Sequence, residues 1–435
     1  APFAKTEPKP DTFMILKGKN MKNLHHTIDG KVLFHGEKSD RSIDREIRLT
    51  RVLILFTLIA SVFATIDVVG ILLQHARSGS VGAVLEQSNF IFIVAFLVYG
   101  NLVYQFTRLG YLHRKARHYP AGIDELRSVF KRSRRGLTVL VPSYKEELIV
   151  VEQTLWSAAL QVCPERRVVL LIDNPPVPGT LKDQHLLDMT RRLPAKVERV
   201  IAEQAGYFRD AYRVYKKRED VDYLEETRRL AGHYAVAADW FEKQARKFLV
   251  NSHTDRLFID KVFNEPATMY REYAHTLSTN GSRKRGIILN REQIEDEYAR
   301  LLALFEVKLE YFERKHYVNL SHEANKAMNI NSYLGLMGGS YCERVRGQEV
   351  FLEPAIGQKA DLLVPDTELV VTQDADSIIA HDYSARLIHQ MDQPGNERVA
   401  VIQTPYSAIP DAPGVLERIA GATTDIQYII HQGFT

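Results

Sequence analysis

Only two cysteines, Cys163 and Cys342, occur in 435 residues. They lie far apart without metal-ligand spacing, so neither a disulfide framework nor a cysteine-based zinc site is read here; reduced thiols in a cytosolic compartment are the simplest reading. Net charge is scarce too, at +3. No charge excess points to nucleic acid, and none is expected as a partner. Glycine is missing from Pro142-Ser-Tyr-Lys-Glu-Glu147, the loop after the first apolar run past the early blocks, which argues against a nucleotidyltransferase with a glycine-rich basic loop. His322-Glu323-Ala-Asn-Lys326 opens like a zincin motif but has lysine where the second histidine is required, which removes a zinc protease.

Nearly all strongly apolar sequence falls in two early blocks, Val52–Gln74 and Asn89–Leu112. Each has the length of a bilayer crossing, which needs about 20 apolar residues; a buried soluble hairpin is the alternative. Asp67 lies inside the first block and is read as sitting near its outer end, in water or against another helix, rather than in a proton relay. Asn101 and Gln105 in the second suit helix-to-helix hydrogen bonds. Arg41, Arg45, Arg48 and Arg51 precede the first block, and Arg108, Arg114, Lys115 and Arg117 accompany or follow the second, whereas the connection carries little beyond Arg77. The positive-inside rule then places both termini in the cytoplasm. The segment before Arg51 is polar, so no cleavable signal is read there. Sequons at Asn280 and Asn319 fall on the cytosolic side and are read as chance.

The expected organisation is a cytosolic segment at 1–50, two transmembrane helices at 51–112 and a basic linker helix at 113–135. An α/β domain follows at 136–180 and 319–435, interrupted by a helical insertion at 181–318. Gly136–Pro142 and Arg167–Asp173 read as buried parallel strands around a helix at 147–161, a βαβ unit. Ligands of such sheets bind beyond the carboxyl ends of the strands, where Ser143, Tyr144, Glu146 and Asp173 fall. The insertion shows helical apolar spacing in Tyr223–Leu249 and Arg291–Tyr317; its charge runs are read as solvated faces, and Trp240 with its tyrosines as core. Leu369–Thr372 reads as a strand, Asp382–Met391 as a helix and Arg398–Gln403 as a further strand.

Asp374-Ala375-Asp376 directly follows the strand at 369–372 and Gln373. Two carboxylates one residue apart at a strand end can hold Mg²⁺ or Mn²⁺ against a diphosphate, because these hard cations prefer oxygen ligands. Lys326, in Lys326-Ala-Met-Asn-Ile-Asn331, can supply charge near a helix N-terminus to a pyrophosphate.

Together these segments resemble family-2 glycosyltransferases, in particular membrane synthases of the cellulose-synthase type. The resemblance rests on Val139–Glu147, Val168–Asn174, Lys326–Asn331, Asp374-Ala-Asp376 and Ile402-Gln403-Thr404-Pro405, in the expected order, and covers about residues 136–175 and 320–435. It implies a GT-A fold (Rossmann-like, nucleotide-diphospho-sugar transferase) and inverting transfer of a sugar, with UDP-glucose the expected donor, to a growing polysaccharide. The setting implied is a bacterial inner membrane, with the catalytic domain cytoplasmic and synthesis coupled to export. Tyr144 and Glu146 would line the nucleoside site, and Asp173 would bind base or ribose. Lys326, Asn329 and Gln403 would serve the nucleotide-sugar, and Asp374 with Asp376 the metal. Expected partners are the donor, a glycan acceptor and the bilayer; a homo-oligomer or export partner stays open. Asn174 stands where the family has a second acidic residue. The family's later threonine-glutamate-aspartate and glutamine-x-x-arginine-tryptophan motifs and further membrane helices are not in this sequence. The chain is therefore expected to be a fragment of a longer polypeptide, and no catalytic base is assigned. The alternative is a non-catalytic, membrane-tethered nucleotide-sugar-binding subunit.

Overall fold

A computed structural model describes residues 40–118, 121–122, 125–127, 129, 136–278 and 288–432. Most of the N-terminal segment, parts of the basic linker and the sequon at Asn280 lie outside the described residues.

Two long helices, α1 (Asp40–Arg77) and α2 (Val81–Arg117), form a hairpin closed by a turn in which Gly79 adopts φ 73°. They run beyond the apolar blocks because both continue through charged flanks, so residues 113–117 of the expected linker extend α2. Both are long and apolar enough to cross a membrane, and their most apolar windows are only 6% and 0% buried. That exposure is opposite to the buried soluble hairpin. Gln105 donates from Nε2 to Thr57 Oγ1 at 2.8 Å, the interhelical bond its position in α2 suggests.

The α/β region is a four-stranded parallel sheet in the order β3-β2-β1-β7. Its strands are β1 (Gly136–Ser143), β2 (Glu165–Ile172), β3 (Lys308–Phe312) and β7 (Leu369–Thr372). Helix α3 (Leu148–Ala159) makes the first crossover. Strand side chains alternate between two cores. Val139, Val141, Val168, Leu170 and Ile172 enter a large core shared with the helical region, whereas Leu140, Val169 and Leu171 pack with Phe312, Tyr317 and Tyr333 on the other side. Each such apolar side chain contributes about 1.5–3 kcal/mol when fully buried. Burial on both faces accounts for the unbroken apolar runs of β1 and β2.

The helical region comprises α4 (Leu181–Lys216), α5 (Tyr223–Ala245), α6 (His253–Ile259), α7 (Glu265–Ser278) and α8 (Arg291–Phe305), with a π-turn at Asp260–Asn264. Side chains cap their starts: Thr180 accepts from Asp183 N, and Asp222 from Leu224 N and Glu225 N. Ser252–Asp255 and Asn290–Gln293 form capping boxes. Trp240, Tyr234, Tyr270 and Tyr298 are core residues. The region shares one core with β1 and β2, so it forms a covering layer of the sheet.

Two readings need correction. The helix expected through Tyr317 stops at Phe305, and Lys308–Phe312 is the strand β3, paired with β2 from Arg167↔Lys308 to Leu171↔Phe312. Glu306, at φ −92° and ψ 104°, leaves the helical region of backbone space. Leu309 and Phe312 have helical spacing, whereas in the strand they fall on opposite faces and enter the two cores; a run this short cannot separate the two. The helical stretch therefore ends before residue 318. Arg398–Gln403, expected as a strand, is irregular, with Val401 81% exposed. Its continuous apolar run Val399–Ile402 is strand-like, but no ladder partner pairs with it among the described residues.

Past β3 come α9 (Lys326–Leu334) and an antiparallel three-stranded sheet of β4 (Ser340–Arg346), β5 (Glu349–Pro354) and β6 (Leu362–Leu363). Asn319 exchanges hydrogen bonds with the Leu352 backbone, which gives that sequon residue a structural role. Helices α10 (Tyr383–Met391) and α11 (Val415–Asp425) follow.

Candidate functional site

The strand order creates a reversal point. From β1 the chain moves to β2 and β3 on one side, then returns to place β7 on the other side of β1. In open parallel sheets ligands bind outside the carboxyl ends at such a reversal, here between Ser143 and Gln373.

At the end of β1, Ser143 is buried and its carbonyl accepts from Asp173 N at 2.9 Å, which ties the ends of β1 and β2 together. Lys145 takes the left-handed φ of 56°, and its N–H donates to Asn174 Oδ1 at 3.0 Å. The half-exposed Tyr144 ring has two ammonium groups nearby, Lys145 Nζ at 5.5 Å and Lys315 Nζ at 5.8 Å from its centroid. Glu146 is exposed one residue further on.

Asp173 is buried, and its carboxylate is already engaged. Arg314 donates from Nε to Oδ1 at 2.9 Å and lies 2.8 Å away through Nη2; Lys315 Nζ is 3.2 Å from Oδ2. An expected contact with base or ribose would have to share this carboxylate with two protein cations. Arg314 is wholly buried and also donates to the carbonyls of Ser321 and Glu323. It thereby fastens the loop leading into α9 to the end of β2. Asn325 caps that helix by accepting from Ala327 N at 2.8 Å. Asn329, expected on the nucleotide side, is instead buried and donates from Nδ2 to Leu171 O at 2.9 Å, a second tie to β2.

Lys326, the first residue of α9, forms an ion pair with Asp374 Oδ1 across the site. Asp374 is partly buried and Asp376 exposed, with the buried Ala375 between them. Gln403 is exposed in an irregular segment, but its neighbours reach the site. Thr404 Oγ1 and Tyr383 OH are 3.0 Å apart, and the Tyr406 phenol is pushed up chiefly by the charge of Asp374.

The donor chemistry suits a hard divalent cation. Two carboxylates stand at a strand end, and no group of three or more His, Cys, Asp or Glu residues able to hold a metal occurs among the described residues. A Mg²⁺ or Mn²⁺ ion bound by Asp374 and Asp376 would draw its other oxygens from phosphate and water, the pattern these ions adopt with nucleotide ligands. Lys326 would then have to release Asp374.

Arg314 and Lys315 are the site residues that sequence reasoning passed over. The available signal is a basic pair two residues after Leu309-Glu-Tyr-Phe312, hidden when that stretch is taken as helix. No protein-family model, curated protein or solved structure matches this chain.

Proposed function

We propose that the protein is a membrane-anchored glycosyltransferase with a GT-A-type sheet that binds a nucleotide-sugar at the β1/β7 reversal and transfers its sugar to a growing polysaccharide on the cytosolic face. The observation that carries this reading is the meeting of Lys326 with Asp374 at that reversal; the exposed Tyr144 follows the end of β1. A diphosphate there would take Lys326 as its charge partner and, with a divalent cation on Asp374 and Asp376, would have its charge matched on both sides. Bound Mg²⁺ or Mn²⁺ would supply Lewis-acid stabilisation of the departing nucleoside diphosphate. Tyr144 offers an aromatic ring to the base, which would share it with the Lys145 and Lys315 ammonium groups over that ring. The basic flanks of α1 and α2 support a cytoplasmic site on a bacterial inner membrane, and UDP-glucose is the proposed donor.

Lys326→Met tests this directly. A charge-assisted hydrogen bond is worth about 1.5–3 kcal/mol, so calorimetry should show UDP affinity falling about ten-fold or more. Mn²⁺ alone should bind more tightly, because Asp374 loses its competitor. A folded variant that keeps wild-type UDP affinity would remove Lys326 from the diphosphate site.

A further inference from the structure

Helix α3 presents a polar stripe where an apolar one is expected. Thr154, Ser157 and Gln161, the last just beyond the helix end, are each no more than 1% exposed although they sit between α3 and the sheet region. Polar groups buried this deeply carry a cost unless they are hydrogen-bonded, and all three are bonded to one segment of the chain.

Thr154 Oγ1 donates to Ala375 O at 2.7 Å and lies 3.2 Å from Ser377 O. Ser157 Oγ accepts from Gln373 Nε2 at 3.0 Å, and that amide also donates to Ser377 O at 2.8 Å. Gln161 donates from Nε2 to Ala380 O at 2.8 Å and accepts from Ser384 N at 3.0 Å. Val162 N donates to His381 O at 3.0 Å, continuing the seam. The segment from Gln373 to His381 has no helix or strand of its own. Its backbone is held largely from outside, by side chains of α3 and the residues that follow it.

The carbonyl that Thr154 holds belongs to Ala375, the residue between Asp374 and Asp376. We infer that Thr154, Ser157 and Gln161 form a clamp that positions the acidic loop, with Thr154 as the positioning residue that fixes the directions of both aspartates. Its consequence for metal binding rests on the nucleotide-sugar reading above; the clamp itself does not.

Thr154→Val keeps the side-chain shape and removes the donor, whereas Thr154→Ser restores it. Hydrogen exchange followed by mass spectrometry on the detergent-purified protein should show faster exchange in peptides covering 373–384 for Thr154→Val, with β1 and β2 unchanged and the Ser variant like wild type. Calorimetry should show Mn²⁺-dependent UDP-glucose binding about ten- to hundred-fold weaker in the Val variant, the cost typical of losing a residue that orients metal ligands, while metal-free UDP binding stays the same. Wild-type exchange at 373–384 in Thr154→Val overturns the clamp. Faster exchange with undiminished Mn²⁺-dependent binding overturns the positioning role. Faster exchange in a protein whose wild type takes no Mn²⁺ with UDP-glucose supports the clamp and removes the glycosyltransferase reading. Should Thr154→Val fail to accumulate, Ser157→Ala removes one of the two acceptors of the Gln373 amide and gives the same readout.

Discussion

Replacing Arg314 with methionine lowers stability by about 3–5 kcal/mol, the usual cost of leaving one partner of a buried ion pair alone. The guanidinium is fully buried, and its contacts converge from two parts of the chain: the Asp173 carboxylate at the end of β2, and the Ser321 and Glu323 carbonyls in the loop before α9. Methionine fills similar space but donates nothing. Asp173 would keep only Lys315, and two carbonyls would lose their donor. Lysine at 314 should recover part of the loss, because one ammonium cannot reproduce a forked set of bonds. Adding Asp173→Asn to Arg314→Met should also recover part of it, since the stranded charge is removed. Thermal unfolding of the four proteins checks this. Equal stability of Arg314→Met and wild type would mean that the pair does not hold the loop. The loss should reach beyond stability, because the same contacts set where Lys326 begins its helix.

Arg166→Met should cost a similar amount through different chemistry. Arg166 is buried at the start of β2, where desolvation pushes its guanidinium down to about 10, still charged at neutral pH. It donates from Nε to Ala159 O at 2.6 Å, from Nη1 to Ala303 O at 2.6 Å and to Cys163 O at 3.1 Å, and from Nη2 to Leu304 O at 2.5 Å. These acceptors include the ends of α3 and α8, whose last carbonyls have no partner within their own helices. One cation therefore closes two helices and joins the covering layer to the sheet. Each buried carbonyl left without a donor costs about 1–3 kcal/mol, partly offset by no longer burying a charge, for a net loss of about 3–5 kcal/mol. The thermal midpoint should fall on the order of 10 °C. A shift smaller than about 2 °C would show that water or other donors replace the guanidinium.

The parts of this fold legible in the sequence are those with a local signature. β1 and β2 are continuous apolar runs closed by Pro142 and Asp173, and sheets covered on both faces produce such runs. The Asp374-Ala-Asp376 motif stands out because it follows β7 so closely. β3 was not legible: five residues beside a long helix carry no periodicity of their own, and losing that strand hid Arg314 and Lys315. Arg398–Gln403 failed in the opposite direction, because a short apolar run does not supply a pairing partner. Thr154, Ser157 and Gln161 look like a solvated helix face; only the fold shows that face turned inward onto Gln373–Ser384. Lys326 and Asp374 were each legible as candidates, but their ion pair joins residues 48 positions apart.

The nucleotide-sugar reading requires Asp374 and Asp376 to hold a divalent cation together with the donor. Electron paramagnetic resonance of Mn²⁺ measures this directly, because the free-ion signal falls as the ion is bound. For detergent-purified protein, UDP-glucose should deplete that signal well beyond what UDP-glucose does in protein-free buffer, and the Asp374→Ala, Asp376→Ala variant should not. A folded wild-type protein that leaves the signal at its protein-free level would show that these aspartates hold no metal–nucleotide-sugar complex.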